Sequence, residues 1–312
     1  MKILIPGGFG FIGKHVVTSL NDLGHTAFPV SRRNDVDFFN YESVKSCLVN
    51  IKPDLIINCA ANVGSINYVS TKQADVIHTN VQIALNMYKA ISEINGEIKI
   101  INPLSNCSYP GDSDVQREED WLINEVHDSV YSYGNSRRMI YMISKCYNQQ
   151  YGINTSNFLI PNTFGPGDYM DTNKTHALNG MIIRMLMAQA SNENEFTIWG
   201  TGNPVREWAY VDDVVNILTK GISIKKSFIY PLNLAQNKGY AIKESAAIIK
   251  EILGYKGKLV FDTNKQDGDP VKILDDKNFR KEFPNFTFFD HKTGIKNTVD
   301  YYKDLLKGMI NE

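Results

Sequence analysis

Residues 2–13 read Lys-Ile-Leu-Ile-Pro-Gly-Gly-Phe-Gly-Phe-Ile-Gly, and this stretch decides the fold. A short apolar strand leads into Gly7, Gly10 and Gly13, which have the spacing GxxGxxG, and an amphipathic helix follows. Gly7 allows a tight turn off the strand, Gly10 lets the backbone approach a pyrophosphate, and Gly13 lets the helix pack closely on the sheet. The free N–H groups at the start of that helix suit phosphate oxygens. The stretch therefore predicts a dinucleotide-binding strand–turn–helix unit.

The overall composition excludes several classes of function. Of the 312 residues, 43% are hydrophobic and 21% are charged, so the chain can bury a sizeable core, and its formal net charge is −1. No basic block is present, so we expect neither nucleic acid nor a membrane surface as a partner. No apolar run reaches the roughly 18 residues that a membrane span needs, and the N-terminal strand does not have the pattern of a signal peptide.

The cysteines give information about the compartment. Cys47, Cys59, Cys107 and Cys146 show neither a CxxC motif nor a paired spacing. They fit free thiols in a reducing cytoplasm, which is where we expect the protein. Since no cluster of histidine and cysteine has zinc spacing, we expect no metal.

Short apolar runs alternate with helical patterns through the first half of the chain. Strands are predicted near residues 26–30, 55–58, 98–102 and 155–160, and helices near 41–49, 75–91 and 132–151. Continuously apolar strands indicate a sheet that is covered on both faces, so the predicted fold class is α/β, a Rossmann-type doubly wound parallel sheet. Ligands bind beyond the carboxyl ends of such strands.

The pattern changes after residue 165 into loops and helices. We interpret this part as a smaller C-terminal α/β portion that binds the substrate. The expected dinucleotide-binding domain comprises residues 1–165, with 207–235 returning to it, and the substrate-binding portion comprises 166–206 and 236–312.

The tip of the second predicted strand bears on which dinucleotide binds. An acidic residue at this tip favours NAD, because a carboxylate accepts from the ribose 2′-hydroxyl and repels a 2′-phosphate. Here the tip carries Arg32 and Arg33, two guanidiniums that can pair with a phosphate. A solvated arginine pair is the simpler interpretation, and Asp35 and Asp37 follow closely. We predict NADP(H).

A chemical centre is predicted where the fourth strand ends. Ser105 lies at that end, and Tyr133 opens a long helix with Arg137 four residues later. Such a tyrosine exchanges a proton with a substrate oxygen during hydride transfer, the serine hydroxyl bonds the same oxygen, and the cation holds the nicotinamide ribose. A second string, Tyr141 to Lys145, lies two turns further along the helix, too far from Ser105 to form this pair.

These residues resemble the extended short-chain dehydrogenases/reductases that act on nucleotide sugars, and among them the GDP-L-fucose synthase family. The matching segments cover nearly the whole chain in order: residues 105–110, 162–168 with His176 following, 199–207 with 211–213, and 261–272. The pair Cys107 and His176 is the specific part, because many relatives share the glycine and tyrosine motifs.

The resemblance implies a role for each matched residue. Cys107 and His176 are implied to be the base and the acid that invert carbons 3 and 5 beside a keto group, whose neighbouring protons are acidic enough for a thiolate. The implied substrate-binding residues are Asn162, Arg184, Trp199, Arg206 and Lys272. The implied cofactor-binding residues are Gly7, Gly10, Phe11, Ile12, Gly13, Arg32, Arg33, Ala60, Ala61 and Asn162. The expected substrate is a nucleotide sugar, with a GDP-linked sugar favoured.

Taken singly, these residues admit simpler interpretations. Cys107 suits a small buried hydrophobe, and His176 suits a histidine at the start of a helix. Arg206 could pair with its neighbour Glu207 at the surface, and Trp199 suits a core position. The functional interpretation depends on the joint match.

One departure from the family concerns the hydride-transfer residues, because Arg137 stands where the family has lysine. A lysine can pass a proton to solvent, whereas arginine does not release one near neutral pH. Reduction is therefore expected to be slowed, or lost while epimerisation persists. A nucleotide-sugar epimerase without net redox, another 4-keto-sugar reductase and a non-catalytic dinucleotide-binding protein are the alternatives.

The long helices near 75–91 and 132–151 are implied by the resemblance to pair with a second copy of the chain. Met139, Met142, Ile143 and Tyr147 at helical spacing exceed what one sheet-facing stripe needs. We expect a homodimer.

Overall fold

The computed structural model describes residues 1–32, 36–94, 97–171, 174–224, 228–265 and 267–310. The helices are α1 (Phe11–Asp22), α2 (Tyr41–Ile51), α3 (Ile66–Thr71), α4 (Gln73–Ile94), α5 (Tyr131–Tyr151), α6 (Ala177–Ala190), α7 (Val211–Lys220), α8 (Ile242–Leu253), α9 (Lys277–Glu282) and α10 (His291–Ile310). The strands are β1 (Lys2–Pro6), β2 (Thr26–Val30), β3 (Leu55–Ile57), β4 (Lys99–Ser105), β5 (Thr155–Ile160), β6 (Asn162–Phe164), β7 (Glu195–Trp199), β8 (Val205–Tyr210), β9 (Phe228–Asn233), β10 (Gly239–Ala241), β11 (Lys258–Asp262) and β12 (Val271–Lys272).

A six-stranded parallel sheet forms the larger part of the fold, in the order β2-β1-β3-β4-β5-β9. The order reverses beside β1, which pairs with β2 on one side and with β3 on the other. In a doubly wound sheet such a reversal opens a crevice at the carboxyl ends of the strands. The predicted fold class is confirmed.

Strand β1 shows why the sheet is covered on both faces. Alternate side chains of a strand point to opposite faces. Ile3 and Ile5 therefore pack with α1 and α7 residues, whereas Leu4 packs in a separate cluster with residues of α2 and α4. All three are at most 1% exposed. The continuous apolar run of β1 thus serves two cores at once.

The C-terminal part contains more strand than its sequence pattern indicates. Strand β8 pairs with β6, β10 and β12, and β7 pairs with β11. Helices α6, α8 and α10 bury their apolar faces against these strands. The predicted C-terminal α/β portion is confirmed, but its individual strands could not be located from the sequence, because they are only two to six residues long and alternate with loops, which leaves little periodicity to detect.

The chain passes back and forth between the two parts. Strand β8 lies in the C-terminal sheet, while α7, which follows it directly, packs on α1, and β9 joins the six-stranded sheet. The division at residues 165, 207 and 235 stays a proposal, whereas the strands themselves change sheets between β5 and β6, after β8, and between β9 and β10.

Three further observations concern the described residues. No helix among them is long and apolar enough to cross a membrane. All four cysteines are free thiols. No group of three or more histidine, cysteine, aspartate or glutamate side chains in the described ranges is placed to hold a metal ion.

His291, the first residue of α10, makes folding stability depend on pH. Its ring is buried between Tyr240, at a centroid distance of 4.1 Å, and Phe164. Burial lowers the pKa of His291 to about 4 from its ordinary 6.5. Between pH 4 and pH 6.5 the His291 ring is protonated in the unfolded chain but neutral in the folded chain. Acidification therefore favours the unfolded chain. The stability that this group contributes is complete above pH 6.5 and is lost as the pH falls.

We expect this histidine to reduce the free energy of unfolding by about 2 kcal/mol between pH 7 and pH 5. The measurement is urea unfolding at both pH values for the wild type and for His291→Phe, which keeps an aromatic ring between Tyr240 and Phe164 but cannot titrate. The variant should lose that much less stability on acidification. An equal loss in both proteins would contradict the prediction.

Candidate active site

The turn after β1 lies at the reversal of the sheet order and has no room for side chains. Gly7 has φ +74°, and a Cβ on it would lie 2.7 Å from the backbone of Cys59 and Ala60. A Cβ on Gly13 would lie 2.1 Å from the carbonyl oxygen of Gly7, so glycine lets α1 approach the turn. Gly10 begins α1 without a side-chain cap, which leaves the first N–H groups of the helix available. This arrangement fits the pyrophosphate of a dinucleotide.

The other implied cofactor residues surround this turn. Phe11 and Ile12 form the first turn of α1, and Ala60 and Ala61 follow β3. At the end of β2, Arg32 is an exposed side chain whose guanidinium lies 3.6 Å from the Asp37 carboxylate and stacks on the ring of Phe39 at 4.8 Å.

This arginine is oriented by its neighbours but is open to solvent, so it fits a 2′-phosphate. Arg33, the second arginine of the predicted pair, lies outside the described residues.

The end of β4 carries the predicted serine and cysteine. Ser105 ends the strand, and its Oγ accepts a hydrogen bond of 3.2 Å from the backbone N–H of Cys107, which lies in the short 3-10 turn that follows. Helix α5 packs directly on this turn, because a Cβ on Gly134 would lie 2.4 Å from the carbonyl oxygen of Cys107. The neighbour of that glycine, Tyr133, is thereby brought to the same strand end.

Arg137 is buried beside Tyr133. Its guanidinium lies over the tyrosine ring at 4.7 Å, and its Nη2 donates to Oδ1 of Asn80 at 3.1 Å. Asn80 is itself fixed, because it exchanges hydrogen bonds with the backbone of Asn62. The Nε–H of Arg137 is buried without a protein partner. An unpaired donor next to the catalytic tyrosine candidate suits a hydroxyl of the nicotinamide ribose.

The alternative tyrosine–lysine string points elsewhere. Tyr141 is buried among the rings of Trp121 and Tyr230, at centroid distances of 5.1 and 5.9 Å, and Lys145 is exposed. Its rejection as the catalytic pair agrees with this placement.

Cys107 has a cation as its neighbour. The Nζ of Lys272 lies 3.8 Å from the Cys107 sulfur and 3.9 Å from a carboxylate oxygen of Asp269, and both charged side chains are almost fully buried. Burial lowers the pKa of the nearby Arg206, whereas anionic neighbours, Asp269 first, raise it. Lys272, which sequence resemblance implies to be a substrate contact, is thus also placed to bond a thiolate.

Arg184 and Trp199 come together on the C-terminal part. The guanidinium lies over the indole at 5.4 Å and over the Phe196 ring at 5.0 Å, and its Nη1 donates to a β7 carbonyl. Trp199 is 62% exposed because it points outward from β7, whereas Phe196 and Ile198 point inward. The core interpretation of Trp199 was wrong, and its free face suits stacking on a base.

Arg206 and Glu207 do not form a surface pair. They are consecutive residues of β8, so their side chains point to opposite faces. Glu207 is fully buried and accepts from the backbone N–H groups of Gln236 and Leu274, and burial raises its pKa to about 8. Asn162 donates to the Glu207 carbonyl oxygen at 3.3 Å.

His176 lies at the start of α6, with its ring 5.5 Å from that of Phe11. Its Nδ1 lies 3.0 Å from an oxygen of the buried Asp168 carboxylate. Burial alone would lower the pKa of His176, but the Asp168 charge and hydrogen bond raise it above the ordinary value. Burial likewise would raise the pKa of Asp168, but His176 first and its other donors lower it to about 2.

The described contacts therefore form two groups. Ser105, Cys107, Tyr133, Arg137 and Lys272 gather at the end of β4. His176 lies with Phe11 at the start of α1, and among the described residues no hydrogen bond, ion pair or ring contact joins it to Cys107.

Sequence reasoning assigned no role to Asn80, Asp168 or Asp269. Asp168 and Asp269 had a signal, since they lie in the matched segments 162–168 and 261–272, whereas Asn80 had none.

The comparisons with known proteins agree with this geometry. The model of the NAD dependent epimerase/dehydratase family matches residues 3–226. The chain belongs to this family. Among the epimerase/dehydratase proteins similar to it, a probable GDP-L-fucose synthase 1 of Oryza sativa subsp. japonica is 30% identical, over 88% of this chain and 84% of the relative.

Two further members extend the comparison. A GDP-L-colitose synthase of Yersinia pseudotuberculosis is 27% identical, over 97% of this chain and 98% of the relative. A crystal structure of a GDP-L-fucose synthetase from Naegleria fowleri, bound to NADP, is 25% identical with a TM-score of 0.87, covering 98% of this chain and 93% of that one. The resemblance of this epimerase/dehydratase chain to GDP-L-fucose synthases is thus confirmed along nearly its whole length.

Proposed function

We propose that this chain is an NADPH-dependent epimerase/reductase that converts a GDP-linked 4-keto-6-deoxy sugar to a GDP-L-fucose-like sugar. The observation that carries the proposal is the grouping of Ser105, Cys107 and Tyr133 at the end of β4, with Lys272 at the thiol. A plain dehydrogenase has no use for the cysteine, and an epimerase that works by proton transfer alone has no use for a hydride donor. The names of the relatives support the GDP-linked substrate.

The reductive step uses the residues that follow β4 and begin α5. NADPH, when bound, supplies the hydride. Tyr133 gives a proton to the keto oxygen as it becomes a hydroxyl, and Ser105 donates a hydrogen bond that fixes the same oxygen. Arg137 keeps a positive charge over the tyrosine ring and offers its free Nε–H to the ribose. It cannot pass the proton on, so Tyr133 must recover its proton from water.

The inversion step uses acid–base chemistry beside the keto group. Cys107, as a thiolate, removes a proton from the neighbouring carbon, and the keto oxygen takes up the electron pair as an enolate. The ammonium of Lys272 bonds the thiolate before this step. His176 returns a proton to the other face. Arg184, Arg206 and the exposed face of Trp199 bind the nucleoside diphosphate.

A second candidate is an epimerase without net redox, which Arg137 favours because a lysine is absent from this position. The test is a panel of nucleotide-linked 4-keto sugars, followed by loss of NADPH absorbance and, separately, by deuterium uptake from deuterated water. Uptake together with NADPH oxidation supports the epimerase/reductase. Uptake without oxidation assigns the second candidate, and oxidation without uptake assigns a simple reductase.

The cofactor preference gives a quantitative prediction. NADPH should bind more tightly than NADH, and Arg33→Ala or Arg32→Ala should weaken NADPH binding by about 1–3 kcal/mol, the cost of a lost charge-assisted hydrogen bond. NADH, which lacks the 2′-phosphate, should bind all three proteins equally and serves as the control. Titration of both cofactors measures this, and a wild-type preference for NADH would refute it.

The proposed assembly is a homodimer through α4 and α5. These two helices pack side by side, and they leave Leu85, Met139 and Met142 between 38 and 49% exposed. An apolar face of this kind suits a second copy of the chain. The compartment that we propose is the cytoplasm, where free thiols such as Cys107 persist.

Sedimentation at micromolar concentration should give twice the chain mass of 35.3 kDa. Met142→Glu, which places a charge on this face, should shift the protein to a monomer, whereas Tyr230→Glu, on an exposed position of the edge strand β9, should not. A monomeric wild type would contradict the proposed assembly.

A further inference from the structure

The Asp168 carboxylate collects more hydrogen bonds than a simple loop contact requires. Its Oδ2 accepts from the backbone N–H of His176 at 2.8 Å, from His176 Nδ1 at 3.0 Å, from Asn179 Nδ2 at 3.0 Å and from Thr175 Oγ1 at 3.1 Å. Its Oδ1 accepts from the N–H of Tyr169 at 2.9 Å. The carboxyl side chain is fully inaccessible to solvent. The side chain is therefore held rigidly before any substrate arrives.

The carboxylate also lies at the start of α6. His176 is the residue that begins this helix, and Asn179 lies in its first turn. An anion at a helix N-terminus is stabilised by the unpaired N–H groups and by the helix dipole. Asp168 thus stays ionised at neutral pH and can act only as an acceptor.

This geometry fixes which ring nitrogen of His176 carries a hydrogen. An ionised carboxylate requires a donor, so Nδ1 holds its proton in both the neutral and the charged ring. The other nitrogen, Nε2, has no hydrogen-bond partner among the residues that the structure describes, and one third of the side chain is exposed. The ring lies 5.5 Å from that of Phe11, which begins α1 at the dinucleotide turn.

Other charged and polar groups lie on the elements packed around this loop. Lys14 of α1 donates to the Gly167 carbonyl oxygen and lies within electrostatic range of Asp168. His15 of α1 bonds the Pro166 carbonyl oxygen and faces Asp212 of α7. From α10, the Tyr302 hydroxyl donates to the backbone oxygen of Asp168. None of these groups touches the His176 ring, so Asp168 is the charged partner that determines its state.

We propose that Asp168 is a positioning residue that orients His176, so that Nε2 delivers the proton completing each inversion at the substrate carbon. The inference rests on the epimerase function proposed above. In the step, Cys107 forms an S–H bond as the substrate C–H bond breaks, leaving an enolate. The Nε2–H bond then breaks, and the enolate electron pair forms the new C–H bond. A thiol and a neutral imidazole remain, and solvent must take one proton from the thiol and return one to Nε2 before the next inversion.

The first test measures the protonation of His176 in the absence of substrate. Nitrogen-15 NMR of the full chain reports the protonation of each ring nitrogen, and the loss of a signal in His176→Gln identifies His176 among the six histidines. We expect a proton on Nδ1 throughout and a pKa above the ordinary value in the wild type. In Asp168→Asn, whose side chain keeps an acceptor oxygen but has no charge, the pKa should fall below that value. Asp212→Asn should leave the His176 signals unchanged.

The second test measures the rates of deuterium uptake and of NADPH oxidation. The rate of deuterium uptake by the substrate should fall as the pH rises, and this fall should begin at a lower pH in Asp168→Asn than in the wild type. Above neutral pH, the variant should lose about tenfold in rate for each unit by which the pKa of His176 is lowered. NADPH oxidation at saturating substrate should change less than deuterium uptake.

The outcomes separate this inference from the proposed function. A wild-type His176 whose neutral ring carries its proton on Nε2 overturns the inference without any variant, even if Asp168→Asn does not fold. A folded Asp168→Asn with unchanged His176 signals also overturns it and leaves Asp168 a structural cap. If the wild type shows the expected His176 signals but no deuterium uptake, the orientation of His176 by Asp168 stands. The proposed epimerase function is then refuted instead.

Discussion

Replacing Cys107 with serine is expected to slow the exchange of substrate protons with deuterated water by about 10²–10⁴-fold, the usual contribution of a positioned general base. Serine keeps the size of the side chain, but a hydroxyl is a far weaker acid than a thiol and does not supply the anionic base that the proposed step needs. NADPH binding should not change, because the dinucleotide turn after β1 does not include this residue. The measurement is mass spectrometry of the recovered sugar nucleotide.

The matched control is Cys146→Ser, since Cys146 is an exposed free thiol on α5. This variant should exchange deuterium at the wild-type rate. If Cys107→Ser exchanged as fast as Cys146→Ser, then the base would be another group, and the resemblance to the fucose synthases would lose its most specific support.

Replacing Tyr133 with phenylalanine is expected to reduce NADPH oxidation by a similar factor, about 10²–10⁴-fold, while deuterium exchange stays measurable. In the proposed mechanism the hydroxyl protonates the keto oxygen in the reductive step, whereas Cys107 and His176 carry out the inversion. The ring itself packs under the Arg137 guanidinium at 4.7 Å and is retained in the variant. Stopped-flow absorbance of NADPH and deuterium uptake measure the two activities on the same sample.

Tyr141→Phe provides the comparison on the same helix. Tyr141 belongs to the other tyrosine–lysine string, but it is buried against Trp121 and Tyr230, away from the end of β4. Its hydroxyl should be dispensable for NADPH oxidation. Loss of oxidation in Tyr141→Phe together with normal oxidation in Tyr133→Phe would mean that the catalytic tyrosine is misassigned.

The cofactor turn could be predicted from sequence because its chemistry is local. The three glycines lie within seven residues, and each is needed for a short-range reason, such as the positive φ of Gly7 or the close approach of Gly13 to the Gly7 carbonyl. Helix α5 and strand β5 were also predicted nearly to their ends.

The contacts that complete the site could not be predicted in this way. Lys272 reaches the Cys107 thiol across 165 residues of chain, and Asn80 reaches Arg137 across 57. No spacing rule connects such pairs, because they meet only after the sheets have assembled. The outward direction of Trp199 likewise depends on the register of a five-residue strand, where a shift by one residue exchanges the two faces.

Strand β8 has a consequence for how the protein holds together mechanically. The chain leaves the six-stranded sheet between β5 and β6, returns after β8, and leaves again between β9 and β10. All three crossings run side by side, because β6 and β10 both pair with β8. A single hinge strand would let the two parts swing freely, whereas three bonded crossings resist rotation and transmit strain. Arg206, which we propose to bind the nucleotide, therefore lies on a strand that is paired on both sides where the two parts meet.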